Sequence, residues 1–355
     1  MEKIRIEKNA NPKPKCDVSN VGFGKVFTDH MFLMDYNSEK GWYDPRIVPF
    51  APFSISPASV VFHYAPEIFE GMKAYRTSEG KIQLFRPEEN IKRMNISAER
   101  MCLPQIDEEF FMEALMKLVE VEQDWVPKEP FTSLYIRPFL FASDEQLGIH
   151  TPHNCVFCII MCPVGSYFKE GINPVKMLIE TNDVRAVRGG TGFAKCGGNY
   201  AGSLRAGEKA ASLGYAQVLW LDAIEKKYIE EGGGMNVMFK IDGKVVTPAL
   251  SGSVLAGITR KSLIEILKSW NVPVEERQIS VDELKAAMKA GKLEECWCCG
   301  TAAVLSPIGE LAYGDEKFII NDYKTGPMAK KLYDTLTGIQ WGSAEDKFGW
   351  TKPVC

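Results

Sequence analysis

Two neighbouring apolar runs, SLYIRPFLFAS (133–143) and NCVFCIIMCPVG (154–165), constrain the fold most. Each is strand-length, far short of the roughly 18 apolar residues that a membrane-crossing helix needs. They read as two buried strands, and other segments alternate around them. KIQLFRP (81–87) has the period of a strand, and Pro87 stands where a helix can begin, ahead of EENIKRMNISAERM. Asp107 offers an N-cap to a helix in which Phe111, Ala114, Leu115, Leu118 and Val119 recur at helical spacing.

Beyond residue 175, VKMLIE and AQVLWLD read as strands, and YIEEGGGMNVMFKI as two strands broken by three glycines. YAGSLRAGEKAASLG, ITRKSLIEILKSW and VDELKAAMKAG read as helices, the last with Ser280 as its cap. This is a mixed α/β pattern (α+β in its mixture of strand and helix runs). At 355 residues the chain exceeds what one core usually covers, so two domains are expected. The expected division is 1–162, a linker over 163–175 rich in proline and glycine, and 176–355.

Charge and composition exclude several classes. A net charge of −4 with no long basic run gives nucleic acid and anionic membranes little to hold. The N-terminal segment is polar and lacks the apolar core of a signal peptide. A cytoplasmic protein is the simplest expectation. Two CxxC pairs, Cys155–Cys158 and Cys296–Cys299, lie in strand-like runs, where residues three apart face opposite sides. Buried free thiols are therefore expected, with no metal centre; His150 and His153 sit in a loop beside a proline. HExxH, GxSxG and Walker motifs are missing from the sequence.

The chemistry centres on Lys195, in RGGTGFAKCGGNYAGSL. Glycines let backbone approach a bulky ligand closely. From the loop alone, a phosphate binder, a Schiff-base lysine and a solvated surface lysine all remain open. Four further features bear on the choice. Tyr200 follows five residues on, and Glu231 precedes Gly232–Gly233–Gly234. Gly257 precedes a helix whose first amides, at Ile258 and Thr259, form a seat for phosphate. Gly300–Thr301–Ala302 makes a small turn between two apolar segments.

In this order, these motifs resemble the fold-type IV pyridoxal-phosphate enzymes, and within them the branched-chain amino acid aminotransferases. FGKVFTDHMF, HYAPEIFEGMKAYR, NIKRM, SLYIRP, PVGSYF, QVLWLD, EEGGGMN, GITRKSL and CGTAAVLSP extend the likeness through nearly the whole chain. The resemblance implies a two-domain architecture with the active site between the domains, pyridoxal 5′-phosphate as cofactor, and a homodimer. It implies amino-group transfer from L-leucine, L-isoleucine or L-valine to 2-oxoglutarate, giving L-glutamate.

It also implies roles. Lys195 holds the cofactor as a Schiff base and carries the proton, Tyr200 meets the phenolic oxygen, and Glu231 meets the pyridine nitrogen. Arg93, Thr301 and the Ile258 and Thr259 amides take the phosphate. Tyr135 and Arg137, with the Thr301 and Ala302 amides, take the substrate carboxylate. Phe23, Tyr64 and Phe69 line the side-chain pocket. Arg185 is a candidate, by position alone, for the distal carboxylate of glutamate. Where some members of the family carry a redox CxxC after the GTA turn, this chain has Ala303 and Ser306, and Gly234 replaces a hydroxyl residue. Two other readings within reach are a D-amino acid aminotransferase or aminodeoxychorismate lyase-like enzyme, and a non-catalytic cofactor-binding protein.

Overall fold

The computed structural model describes residues 2–18, 21–165 and 172–355. The chain forms two compact units: Met1–Tyr167 with Ala194–Gly197 and Gly338–Cys355, and Phe168–Phe193 with Gly198–Thr337.

The first unit contains β1 (Arg5–Ile6), β2 (His30–Asn37), β3 (Gly41–Pro49), β4 (Glu67–Phe69), β5 (Met72–Arg76), β6 (Ile82–Phe85), β7 (Ser133–Ala142) and β8 (Asn154–Val164). Its helices are α1 (Val60–Tyr64), α2 (Pro87–Arg100) and α3 (Glu108–Val121). Pro87 occupies the first turn of α2, and the Asp107 side chain accepts from the Phe110 amide at 2.8 Å to start α3. The two apolar runs pair antiparallel as β7 and β8, from Ser133 opposite Val164 to Ala142 opposite Cys155.

Strand periodicity then sorts side chains between two faces. Ile68, Met72, Ala74, Leu134, Ile136 and Leu140 enter a core with Phe111, Phe32 and Phe157. Burying each such large side chain contributes about 1.5–3 kcal/mol. Glu67, Phe69, Lys73, Tyr135 and Arg137 alternate with them and take the opposite face.

The second unit contains β9 (Val175–Ile179), β10 (Gln217–Leu221), β11 (Ile229–Gly232), β12 (Asn236–Ile241), β13 (Lys244–Thr247), β14 (Val274–Glu276), β15 (Leu293–Gly300), β16 (Val304–Tyr313) and β17 (Glu316–Ile319). Parallel pairing of β10 and β16 with β9 is joined to antiparallel pairing of β16, β15 and β12. Helices α4 (Gly197–Ala201), α5 (Leu204–Ser212), α6 (Ile258–Ser269), α7 (Val281–Lys289) and α8 (Pro327–Gln340) follow in chain order. Ser280 caps α7 by accepting from the Glu283 amide at 3.0 Å. The last strand, β18 (Thr351–Pro353), returns to the first unit and extends its sheet beside β6.

Three features differ from the sequence reading. The helix expected over 200–214 breaks into α4 and α5 around Gly202–Ser203, where glycine is a poor helix former and the Ser203 hydroxyl donates back to the Tyr200 carbonyl at 2.7 Å. The lysine segment Ala194–Gly197 and the C-terminal residues belong with the first unit, not the second. Backbone bonding explains the former: the Lys195 carbonyl accepts from the Phe69 amide at 2.9 Å, and Cys196 bridges Ile68. Of the linker over 163–175, Pro163 and Val164 close β8 and Val175 opens β9, while 166–171 lie outside the described residues. Among the described residues, no helix is long and apolar enough to cross a membrane.

Candidate functional site

In the first unit, the open face of the sheet gathers one group of expected residues. The Lys195 amide donates to Ser97 Oγ at 2.9 Å, which ties the lysine to α2. Its Nζ lies 4.5 Å from the centre of the Phe69 ring. The Arg137 guanidinium sits 4.5 Å from the same ring and donates from Nη2 to Tyr135 Oη at 2.9 Å. Phe23 meets the Tyr135 ring edge-on at 4.8 Å. Among the described residues, the buried Arg137 Nε has no hydrogen-bond partner. Gly71 makes room for this arrangement: a Cβ there would lie 2.1 Å from Tyr135 Oη. The Tyr64 hydroxyl accepts from the Gly148 amide at 3.0 Å.

Two acids on this side were missed from the sequence. Glu70 is wholly buried and grips Arg93 with two bonds, from Nε at 2.7 Å and Nη2 at 2.9 Å. It also accepts from Asn90 Nδ2 at 2.8 Å and the Gly71 amide at 3.1 Å. Burial pushes the Glu70 carboxyl up, but Arg93, Lys195 and Asn90 together hold it below its ordinary value. Glu67 accepts from the Gly197 amide at 3.0 Å, directly after the lysine. There burial wins and raises the carboxyl, against the pull of the Gly197 amide, Arg137 and Lys195. The signal was present in PEIFEGM: strand alternation puts Glu67 on the same face as Phe69.

In the second unit, Glu231 is almost fully buried in β11. It pairs with Arg185 Nη2 at 2.7 Å and accepts from Asn236 Nδ2 at 3.1 Å. Arg185 therefore does not wait for a substrate carboxylate. The same Nη2 also reaches the carbonyls of Gly192, at 3.2 Å, and Ser253. Sequence position alone could not reveal that its charge is already matched inside the unit. Asn236 further donates to the Leu255 carbonyl at 2.9 Å, linking Glu231 to the segment that leads into α6.

That segment ends at Gly257, the N-cap of α6, which makes no side-chain cap bond. A Cβ at Gly257 would come within 1.8 Å of Asn236 Oδ1, so the close approach requires glycine. Ile258 and Thr259 open the helix as expected, with the positive end of its dipole. Tyr200 lies in α4, and a Cβ at Gly234 would stand 3.7 Å from its ring, an ordinary contact. Thr301 and Ala302 form the tight turn between Gly300 and Val304, which pair across β15 and β16.

All ten cysteines are free thiols, and those of both CxxC pairs are buried. Burial pushes Cys155 and Cys299 up to about 12, so neither is a thiolate near neutrality.

Each unit by itself carries groups of the kind that pyridoxal 5′-phosphate takes. The first has a half-buried primary amine at Lys195; the second has a buried carboxylate at Glu231 and a helix that starts at a close-packed glycine, Gly257.

Comparison with known proteins points the same way. The family model for amino-transferase class IV matches residues 67–311. The chain is 55% identical over 351 residues to branched-chain-amino-acid aminotransferase 2 of Bacillus subtilis (strain 168), covering 99% of this chain and 97% of that one. Among solved structures, the branched-chain amino acid aminotransferase of Escherichia coli superposes with a TM-score of 0.77 at 26% identity, covering 92% of this chain and 99% of that one. The branched-chain amino acid aminotransferase of Thermoproteus uzoniensis, a thermophilic archaeon, was determined with norvaline and gives 0.74 at 26% identity, covering 91% and 100%.

Proposed function

Because the chain belongs to the class IV aminotransferases, among the branched-chain-amino-acid aminotransferases, we propose that it transfers the amino group of L-leucine, L-isoleucine or L-valine to 2-oxoglutarate. The products are the branched 2-oxo acid and L-glutamate. The observation that carries the reading is the grouping beside one sheet face of the Lys195 amine, Phe69, Tyr135 and an Arg137 whose Nε has no partner among the described residues.

When bound, pyridoxal 5′-phosphate supplies an aldehyde to receive the amino group and a ring that withdraws electrons from the substrate Cα. The chain's own residues do the rest. Arg137, oriented by Tyr135, takes the substrate carboxylate through a charge-assisted bond. Phe23, Phe69 and Tyr64 give an apolar wall to a branched side chain. The Lys195 amine removes the proton from Cα and returns one, acting as base and then as acid. Fixing that amine beside Cα converts a bimolecular transfer into an intramolecular one, worth effective molarities on the order of 10⁵ M or more.

In the second unit, Glu231 keeps a proton on the ring nitrogen, and Arg185 and Asn236 hold Glu231 in place. Tyr200 holds the phenolic oxygen. Thr301 and the Ile258 and Thr259 amides would hold the phosphate, and so would Arg93, whose guanidinium Glu70 orients through Nε and Nη2. The Thr301 and Ala302 amides assist with the substrate carboxylate. The protein works as a cytoplasmic homodimer in this proposal.

The test is a visible spectrum of the holoenzyme before and after L-leucine, D-alanine and aminodeoxychorismate, added separately. Loss of the cofactor's visible band with L-leucine alone supports the reading. A response to either other compound in place of L-leucine overturns the substrate assignment, and a colourless protein overturns the cofactor.

A further inference from the structure

The N-terminal strap, residues 8–18, is fastened to the first unit by a buried polar cluster that the proposed reaction does not use. The Asn9 amide donates to His30 Nε2 at 2.8 Å. The opposite ring nitrogen, Nδ1, bonds to Glu122 Oε1 at the end of α3. His30 and Glu122 are both buried. The neighbouring Asp29 carboxylate accepts from the Lys13 amide at 2.8 Å, Lys15 Nζ at 3.0 Å and Trp125 Nε1 at 2.8 Å, while its own amide donates to Glu122 Oε2 at 3.2 Å. Lys13 Nζ donates to the carbonyls of Phe27 and Thr28 at 3.3 and 3.4 Å, just after Phe23 in the chain.

This geometry fixes a protonation state. An imidazole nitrogen that accepts from a backbone N–H cannot itself carry a proton, so Nδ1 carries it and donates to Glu122. Two donors would otherwise face each other at 2.8 Å. We propose that His30 is a pH-operated latch: it holds the strap only while Nε2 is unprotonated, and through the strap it positions the loop bearing Phe23. The charged groups that meet the latch are Glu122 from the end of α3, Asp29 from its own strand end, and Lys13 and Lys15 from the strap. On β3 the residue opposite His30 is Pro49, and on β8 the Met161 carbonyl accepts from the Thr28 amide; neither side chain titrates.

The released strap binds one proton more than the latched one. Acid therefore favours release of the strap and base favours the latch. Burial pushes the Glu122 carboxyl up against the pull of His30 and the Asp29 amide, so it is the competing source of any pH response. The link to Phe23 as a pocket wall rests on the transaminase reading; the latch itself does not.

Amide hydrogen exchange on the holoenzyme between pH 8 and pH 5.5, corrected for chemical exchange, tests both parts. In the wild type, protection of residues 8–18 should fall at least tenfold on acidification, and that of 21–27 should fall with it. In His30→Gln, whose carbonyl can accept from Asn9 without titrating, protection should not depend on pH. If that variant fails to fold, Asn9→Pro serves instead: it removes the donor and should leave the strap open at every pH. Wild-type protection that ignores pH, a pH response that survives His30→Gln and so belongs to Glu122, or a strap still protected in Asn9→Pro would each overturn the latch. A strap that opens while 21–27 stays protected would overturn its coupling to Phe23.

Discussion

Gly71→Ala isolates the geometry of the substrate-carboxylate side with one methyl group. The new Cβ would lie 2.1 Å from Tyr135 Oη and 3.0 Å from its Cζ, whereas ordinary contact begins at 3.4 Å, so the hydroxyl has to move by about 1.3 Å. Gly71 does not sit in the left-handed region, so the backbone accepts alanine and the whole effect passes through Tyr135. The ring has little freedom, being nearly buried between Phe23 and the neighbouring strands. Tyr135 Oη accepts from Arg137, so its displacement also misplaces the guanidinium. A misplacement of about 1 Å can cost roughly 10²-fold in rate, near 2.7 kcal/mol of transition-state stabilisation. Overpacking should separately cost about 1–3 kcal/mol of stability. The assay is kcat/KM for L-leucine together with thermal unfolding, for Gly71→Ala and for its combination with Tyr135→Phe. The double variant, which removes the clashing oxygen, should regain thermal stability but not activity. If the single variant kept kcat/KM within twofold of wild type, Gly71 would not be what sets the position of Tyr135 and Arg137.

Other consequences follow from the buried charges and thiols. Glu70 has a folded-state carboxyl held below its ordinary value, so its contribution is present above about pH 5 and is lost as pH falls through the depressed range. Acid unfolding should therefore lose one such component in Glu70→Gln, and identical acid profiles would contradict the pairing with Arg93. Arg185→Gln strands the buried Glu231 carboxylate, a change that typically costs about 3–5 kcal/mol. Chemical denaturation should show that loss in the apoprotein, whereas a role confined to substrate would leave apoprotein stability unchanged. A thiol reagent at neutral pH should label the exposed Cys102 and Cys355 rapidly while Cys155 and Cys299 react only on unfolding, as peptide mass mapping would show.

Much of this protein is legible in its sequence because local rules act there without competition. Asp107, Ser280 and Pro87 start the helices they were expected to start, since capping and the fixed φ of proline depend on a few neighbouring residues. The β7–β8 pair was legible for the same reason: two apolar runs of strand length have few other ways to bury themselves. Pairing at a distance was not legible. Glu70 could not be matched with Arg93, 23 residues away, nor Arg185 with Glu231, 46 residues away, because no period or turn rule links them. The placement of Lys195 beside β4 was hidden likewise, since it depends on backbone bonds to Phe69 and a side-chain bond to Ser97. Asn236 went unnoticed because a buried asparagine reads like any strand residue until its amide is seen bridging Glu231 and Leu255.

Whether Lys195 holds the cofactor is decided by reducing the holoenzyme with borohydride and mapping its peptides. One phosphopyridoxyl-modified peptide containing Lys195 is expected, and none in Lys195→Ala. Modification of any other lysine in the wild type, or trapped cofactor in Lys195→Ala, would contradict that assignment.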